Sequence, residues 1–403
     1  MFGRRAYFDS AAGWSGNPSS PHAEGRRAKK KLEDARAAIA RLAEVQADDV
    51  IFTSGATEAN ALAILGLVRG LRERAGRDTP GRNNIRLLYL SSAHSSVIEN
   101  MKLAAEEGVS IGELPIKNAR VDVEALAEML TPETALVSMD AVCGETGVVW
   151  NTREVAETLR AFRTGVAKNV SAPGRSAKSY SHFLATPVLH VDASQAPLTE
   201  KMTRAHFGAD LMTLDGAKVA PVHGIGALIA HRTPPAGGPL APLYQGGGQE
   251  RGLRPGTEAP ELAEEFAARL EQATFGRLAF QSRAARDRER LIAAITSAIP
   301  GLFVNESGHA QAPNILNLSL PGRDTDYLVA LLDEAGFAVS TRSACETDSE
   351  EGSRAVLALT GDLERARATL RISWDSRVRS RDFERLARTL IHSVAFVDKN
   401  VQE

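Results

Sequence analysis

The chain is poor in cysteine: Cys143 and Cys345 are the only two in 403 residues. With no CxxC spacing either, a disulfide framework and a thiolate zinc cluster are excluded. Charge of one sign is also lacking. Forty-eight lysines and arginines meet 50 aspartates and glutamates, for a formal net charge of −2, so nothing asks for nucleic acid or an acidic membrane as partner. The longest apolar run, ALAILGLV, falls far short of the roughly 20 residues of a membrane span. MFGRRAYFDS lacks the apolar core of a signal peptide, and a cytoplasmic location is expected. Several catalytic signatures are missing too: GxxxxGK[ST], GxGxxG opening a helix, HExxH and GxSxG.

What is present is enough apolar residue, 43% of the chain, for a large core and a division into one larger and one smaller domain. The most informative stretch runs from His190 to Gly226. There Asp192 closes one apolar run, and Lys218 sits in a turn between two others, LMTL and GALIA. Most lysines here, as in RRAKKKLED, belong on a solvated face. A lysine between two strand-like runs is expected to be partly desolvated, which lowers its pKa and makes it a nucleophile towards a carbonyl, here that of an aldehyde cofactor. Cys143 follows ALVSMDAV and reads as a small buried hydrophobe. Cys345 lies in the polar stretch STRSACETDSEEGSR and reads as an exposed, reactive thiol.

In chain order, YFDSAAGWSGNPSSPHAEG is irregular and the following residues to AEV have helical spacing. DVIFTSGATEANALAILGLV predicts a strand, a turn at Gly55 and a helix opening near Thr57. Its head could bind an anion, although the residues alone favour an ordinary capped helix. Strand, loop and helix recur at IRLLYLSSAHSSVIENMKLAAEEG, with His94 in the loop, and again through VSIGELPI, VEALAEML and TALVSMDAV. This alternation indicates an α/β domain with a mostly parallel sheet. After the helix TREVAETLRAF, residues 163–186 read as an exposed insertion. Helix follows from about Glu258 through RLIAAITSAI. A second α/β unit then runs from PNILNLSL through the helix at DTDYLVALLDEAG, the strand FAVS, the cysteine loop, the helix at SRAVLALTG, the strand TLRISW and a final helix. GGGQERG taken alone is a flexible loop.

HVDASQ, the lysine turn 26 residues after its aspartate (218 − 192) and GGGQERGLRPGT together resemble the pyridoxal-phosphate cysteine desulfurases of the NifS/IscS type, in the class V aminotransferase branch of fold-type I enzymes. The resemblance runs from YFDSAAG to RISW. It implies a large cofactor domain at 26–257 with a seven-stranded-type, mostly parallel sheet, and a small α/β domain from 1–25 and 258–403 carrying the cysteine loop. It implies pyridoxal 5'-phosphate as cofactor, with Ala56 and Thr57 on its phosphate and Thr257 reaching the phosphate from a second subunit of a homodimer. Asp192 would pair with the ring nitrogen, Gln195 with the ring hydroxyl and Lys218 with the aldehyde. His94 would stack on the ring and move protons, and Arg371 would bind the carboxylate of L-cysteine. Cys345 would take the substrate's sulfur as a persulfide for an acceptor such as an iron–sulfur scaffold, releasing alanine. No resident metal is implied, with a transient iron–sulfur ligand role open to Cys345.

The sequence also departs from that family's pattern. The usual N-terminal helix between YFDSAA and GNPSSPH is missing, Gly144 replaces an asparagine, and Asp215 and Ala217 replace a serine and a histidine that bind phosphate. An aspartate beside a phosphate repels it unless protonated or turned to a partner. Two other readings therefore stand beside a desulfurase: a related enzyme such as a selenocysteine lyase or aminotransferase, and a non-catalytic scaffold for sulfur-transfer partners.

Overall fold

The computed structural model describes residues 6–14, 16–76, 83–170, 187–219, 221–231, 239–341 and 352–400. The strands are β1 Val50–Thr53, β2 Arg86–Tyr89, β3 Ser110–Glu113, β4 Ile116–Lys117, β5 Arg120–Val121, β6 Thr134–Asp140, β7 Val188–Asp192, β8 Leu211–Asp215, β9 Gly226–Ala230, β10 Phe303–Val304, β11 Ile315–Ser319 and β12 Thr369–Ser373. The helices are α1 Ala23–Ala43, α2 Ala56–Ala61, α3 Leu67–Ala75, α4 Ser95–Glu106, α5 Val123–Met129, α6 Thr152–Val170, α7 Arg204–Phe207, α8 Pro260–Ala298, α9 Thr325–Glu334, α10 Arg354–Thr360, α11 Leu363–Arg367 and α12 Ser380–Asn400.

Seven strands form one sheet in the order β1-β9-β8-β7-β6-β2-β3. Neighbours from β8 through β3 are parallel, and β9 is antiparallel to both β8 and β1. The mostly parallel sheet expected from the alternating pattern is therefore present. Every residue of β6, β7 and β9 is buried, as helices on both faces of a parallel sheet require. His190 stitches its middle: Ser138 on β6 and Thr213 on β8 each make a hydrogen bond to its ring, at 2.8 and 3.0 Å. Burial drives the pKa of this imidazole down to about 4, so it acts as a neutral tie.

A second sheet, β10-β11-β12, is antiparallel and packs with α9 and α12 on a separate apolar core that includes Leu316, Leu328, Leu370 and Leu390. α8 spans 39 residues and serves both cores, Phe266 and Leu270 entering the first and Leu291 and Ile295 the second. Three local expectations need correction. The 163–186 segment begins as the last turns of α6, which continues to Val170, and 171–186 lie outside the described residues. FAVS forms only a bridge, from Ser340 to Arg371 at the edge of β12.

The third concerns GGGQERG, which is locked rather than flexible. The Glu250 carboxylate accepts both Arg36 guanidinium nitrogens at 2.7 Å and the Phe52 amide at 2.9 Å, on the open edge of β1. That pairing holds left-handed backbone at Glu250 and Arg251, a conformation costly for residues with a Cβ. Removing the carboxylate with Glu250→Ala leaves the Phe52 amide unpaired and the buried Arg36 guanidinium with only Glu33 and the Val50 carbonyl. The expected loss is about 3–5 kcal/mol of unfolding free energy, read from urea denaturation; a loss below about 0.5 kcal/mol, the scale of an ordinary surface substitution, would contradict this account.

Candidate active site

Parallel strands deliver their carboxyl ends to one edge of the sheet, where a crevice opens. Here Asp140, Asp192 and Thr213 are register neighbours across β6, β7 and β8. Above them lies a cavity of about 180 Å³, roofed on one side by the small unit through Arg354 and Arg371. It gathers seven of the nine residues expected at the site: Ala56, Thr57, His94, Asp192, Gln195, Lys218 and Arg371. Thr257 is exposed and does not line it. Cys345 lies outside the described residues.

Asp192 is 6% exposed and is held from two sides. Asn60, in α2, donates to its Oδ2 at 2.7 Å, and Ser194 donates its amide at 3.0 Å and its hydroxyl at 2.5 Å to Oδ1. Both oxygens of this carboxylate are thus engaged as acceptors. His94 caps α4: its Nδ1 accepts the Ser96 amide at 3.1 Å, which puts the ring proton on Nε2. One side chain thus both caps α4 and lines the cavity.

Lys218 corrects an expectation. It is exposed rather than desolvated, because the short turn Gly216–Lys218 lifts it off the strand end towards the cavity mouth. Asp215 shapes that turn, its Oδ1 accepting the Ala217 amide at 3.0 Å. The carboxylate expected to repel a phosphate is thereby engaged as a cap. Gly144 is similarly accounted for: a Cβ there would stand 3.0 Å from Nε2 of Gln195, so Gln195 occupies the room a larger side chain would need. Arg371 Nη1 donates to the Gly144 carbonyl at 3.3 Å, while its Nε is buried without a partner. At the head of α2, Glu58 accepts the Ser54 amide at 2.5 Å and bonds Tyr244 at 2.7 Å and Arg254 at 3.2 Å. This ties the loop before β1's partner helix to the Gly-rich segment.

The donor set fits a pyridine aldehyde phosphate. An anion sits where a ring cation needs one, a lysine stands at the mouth for an aldehyde, and Gln195 supplies an amide for a hydroxyl. Three lining atoms, Ser92 Oγ, Asp140 Oδ1 and Arg371 Nε, are buried without partners, which a polar ligand would relieve. Among the described residues, no group of His, Cys, Asp and Glu could hold a metal ion, and no helix is long and apolar enough to cross a membrane.

The family model for class-V aminotransferases matches residues 6–168 and 163–386. The chain is 30% identical to a cysteine desulfurase, IscS 1, of Archaeoglobus fulgidus, over 93% of this chain and 88% of that one. It is 31% identical to the mitochondrial cysteine desulfurase of Arabidopsis thaliana, over 88% of this chain and 71% of that one. Among solved structures, DndA of Streptomyces lividans superimposes with a TM-score of 0.69 at 31% identity, covering 91% of this chain and 92% of that one. A NifS-like protein gives a TM-score of 0.78 at 23% identity, over 94% and 92%, and speaks for the fold alone.

Sequence reasoning missed Asn60, Ser194, Asp140 and Arg354. Only Ser194, inside HVDASQ, had a local signal; the others reach the site through register and tertiary packing. Cys143 is buried as expected, yet it also lines the cavity, and burial together with nearby Asp140 pushes its thiol up to about 11. Asp140 is the least supported group. Burial, reinforced by the neighbouring Asp192 carboxylate, holds its carboxyl well above the ordinary value of 3.8. An acid whose folded pKa exceeds its unfolded one costs stability as pH rises from the unfolded value through the folded one. Asp140→Asn is therefore expected to raise the thermal midpoint of the unloaded chain by a few degrees near neutral pH. The gain should shrink towards pH 4; calorimetry showing a pH-independent difference would refute the assignment.

Proposed function

The chain belongs to the class-V aminotransferase family, and from that premise we propose that it is a pyridoxal-phosphate-dependent L-cysteine desulfurase, converting L-cysteine to L-alanine and passing the sulfur to Cys345. The observation that carries the proposal is the convergence of Lys218, Asp192, Gln195, His94 and Arg371 on one cavity at the carboxyl ends of β6 to β8. Bound pyridoxal phosphate supplies an electron sink for bonds at the substrate's Cα. Ala56 and Thr57, at the head of α2, bind its phosphate, where backbone amides favour an anion. Asp192 keeps the ring nitrogen protonated, and Gln195 hydrogen-bonds the ring hydroxyl.

Lys218 would hold the cofactor's aldehyde, and its amine would move the proton at the substrate's Cα. Its exposure leaves the amine open to the cavity mouth. His94 has its Nε2 proton available for transfer, because Nδ1 is committed to Ser96. Arg371 offers a planar fork for the substrate carboxylate. The Cys345 thiolate attacks the substrate sulfur: an S–S bond forms, the C–S bond breaks, and its electron pair stays with the carbon that becomes the alanine methyl after protonation. Cys345 is left as a persulfide for a protein acceptor, such as an iron–sulfur scaffold.

The same reading supplies the finer assignments. The chain works in the cytoplasm as a homodimer in which Thr257 of one subunit completes the phosphate site of the other. Its exposure and its absence from the cavity of its own chain support this. The domains are 26–257 for the large unit, and 1–25 with 258–403 for the small one; the second apolar core, from Phe280 to Val397, supports the small unit, while Phe266 and Leu270 of α8 pack into the first.

Wild-type protein supplied with pyridoxal phosphate, L-cysteine and reductant is expected to release alanine and sulfide. Lys218→Ala and Cys345→Ala should each lower that rate by on the order of a thousandfold. Turnover that survives Cys345→Ala would exclude the persulfide route; no visible cofactor band and no turnover would favour the scaffold reading. Arg371→Lys keeps the charge but loses the fork, and should raise KM for L-cysteine by about tenfold with a smaller change in kcat. Steady-state kinetics with KM unchanged would remove Arg371 from the carboxylate site.

A further inference from the structure

Asp140 and Asp192 end adjacent parallel strands as register partners, and both line the cavity. Their supports are unequal. Asp192 receives two donors from Ser194 and one from Asn60, whereas Asp140 has the backbone amide of His94, and its Oδ1 is buried without a partner. Asp140 is 5% exposed, so its ionised form has little solvent to turn to. A buried acid in that position is far less costly with its proton on. It also serves neither fold stability nor any of the steps assigned above.

The groups around Asp140 decide how much more negative charge the cavity can accept. Asp192 faces it from β7, with neutral His190 behind, and His94 from the head of α4. Cys143, a thiol at neutral pH, and Glu145 come from the loop that follows β6. The turn after β8 brings Asp215 and Lys218, α10 brings Arg354, and β12 brings Arg371. Among the described lining residues, the cations Lys218, Arg354 and Arg371 balance the carboxylates Glu145, Asp192 and Asp215, three against three. Ionising Asp140 makes it four against three. A phosphate monoester brings roughly two more negative charges near neutral pH, into a space where such charges are poorly screened.

We propose that Asp140 gates loading of the phosphate-bearing cofactor: its protonated carboxyl leaves the cavity neutral enough to accept an anionic aldehyde, and its carboxylate turns that ligand away. The gate rests on the cofactor assignment above and adds a residue that sets when the site can fill. It also gives a reason for an acid that costs stability to stand beside Asp192: the cavity's affinity follows the proton on Asp140.

The test is direct binding, independent of turnover. Full-length chain stripped of cofactor is titrated with pyridoxal phosphate at a series of pH values from about 6 to 9.5, a range around the ordinary histidine and thiol ionisations, with binding followed by visible absorbance. For the wild type, apparent Kd should rise by up to about tenfold per pH unit above the Asp140 ionisation, the limiting slope for one linked proton. Asp140→Asn, which keeps the shape and cannot ionise, should lack that limb and bind at least about tenfold tighter than wild type at the alkaline end. Asp140→Ser gives a second neutral variant in case the amide disturbs the loop, and circular dichroism checks that each is folded. Ionisations of Lys218 and of the ligand are common to all three proteins and cancel in the comparison. Parallel profiles for wild type and both folded variants, or tighter wild-type binding at high pH, would overturn the gate while leaving the cofactor assignment standing. No binding by any protein at any pH would defeat the cofactor assignment and the gate with it.

Discussion

The constraint on which the site depends is the placement of two carboxyl groups at the ends of adjacent parallel strands, in a cavity with little water. Parallel pairing fixes their register, so Asp140 and Asp192 are neighbours whatever the loops do. Two buried carboxylates at that range cannot both be ionised cheaply. The surrounding donors break the tie. Asn60 and Ser194 commit both oxygens of Asp192 to hydrogen bonds, and Asp140 is left with one backbone amide. Charge asymmetry thus follows from which strand end meets α2 and which does not. That asymmetry leaves one carboxyl group held by three donors and, beside it, one held by a single amide.

The cavity is also a junction between two cores. Arg371 belongs to β12 in the small sheet, yet its guanidinium donates to the carbonyl of Gly144, in the loop that leaves β6. On the same loop, Glu145 accepts the Ser353 hydroxyl at the cap of α10, and its carbonyl accepts Asn317 from β11 at 3.2 Å. A shift of the small unit therefore moves the loop that lies over the site. The opposite margin is fixed by the Arg36 and Glu250 pair and by Glu58, which together anchor the Gly-rich segment to β1 and α2. These ties hold the cavity walls on both sides.

Much of this was legible before any coordinates. The alternating apolar runs specify the parallel sheet because a strand buried on both faces has no polar face to show. Asp192 and Lys218 stood out because a strand end and a tight turn mark them, and Gln195 was named through the resemblance carried by HVDASQ; all three line the cavity. Asn60 and Asp140 could not, since their importance comes from which strands lie side by side. GGGQERG misleads in the same way: its glycines announce freedom, while the acceptor that removes it, Glu250, finds its partner 214 residues away. Lys218 misleads in the other direction. Apolar runs on either side suggested burial, but a turn between strands can carry a side chain off the sheet edge.

The departures from the family pattern look damaging only when each position is read separately. Asp215 in place of a phosphate-binding serine adds a charge, but its carboxylate caps the Ala217 amide, so it shapes the turn that presents Lys218. Gly144 in place of an asparagine removes a polar contact, but it makes room for the Gln195 amide, itself a hydrogen-bonding group. What neither change provides is a new cation, and Ala217, in place of a histidine, offers an incoming anion no side-chain donor. On the proposed reading, limiting negative charge in the cavity then falls to Asp140, a residue beside Asp192 that the family pattern gave no reason to notice.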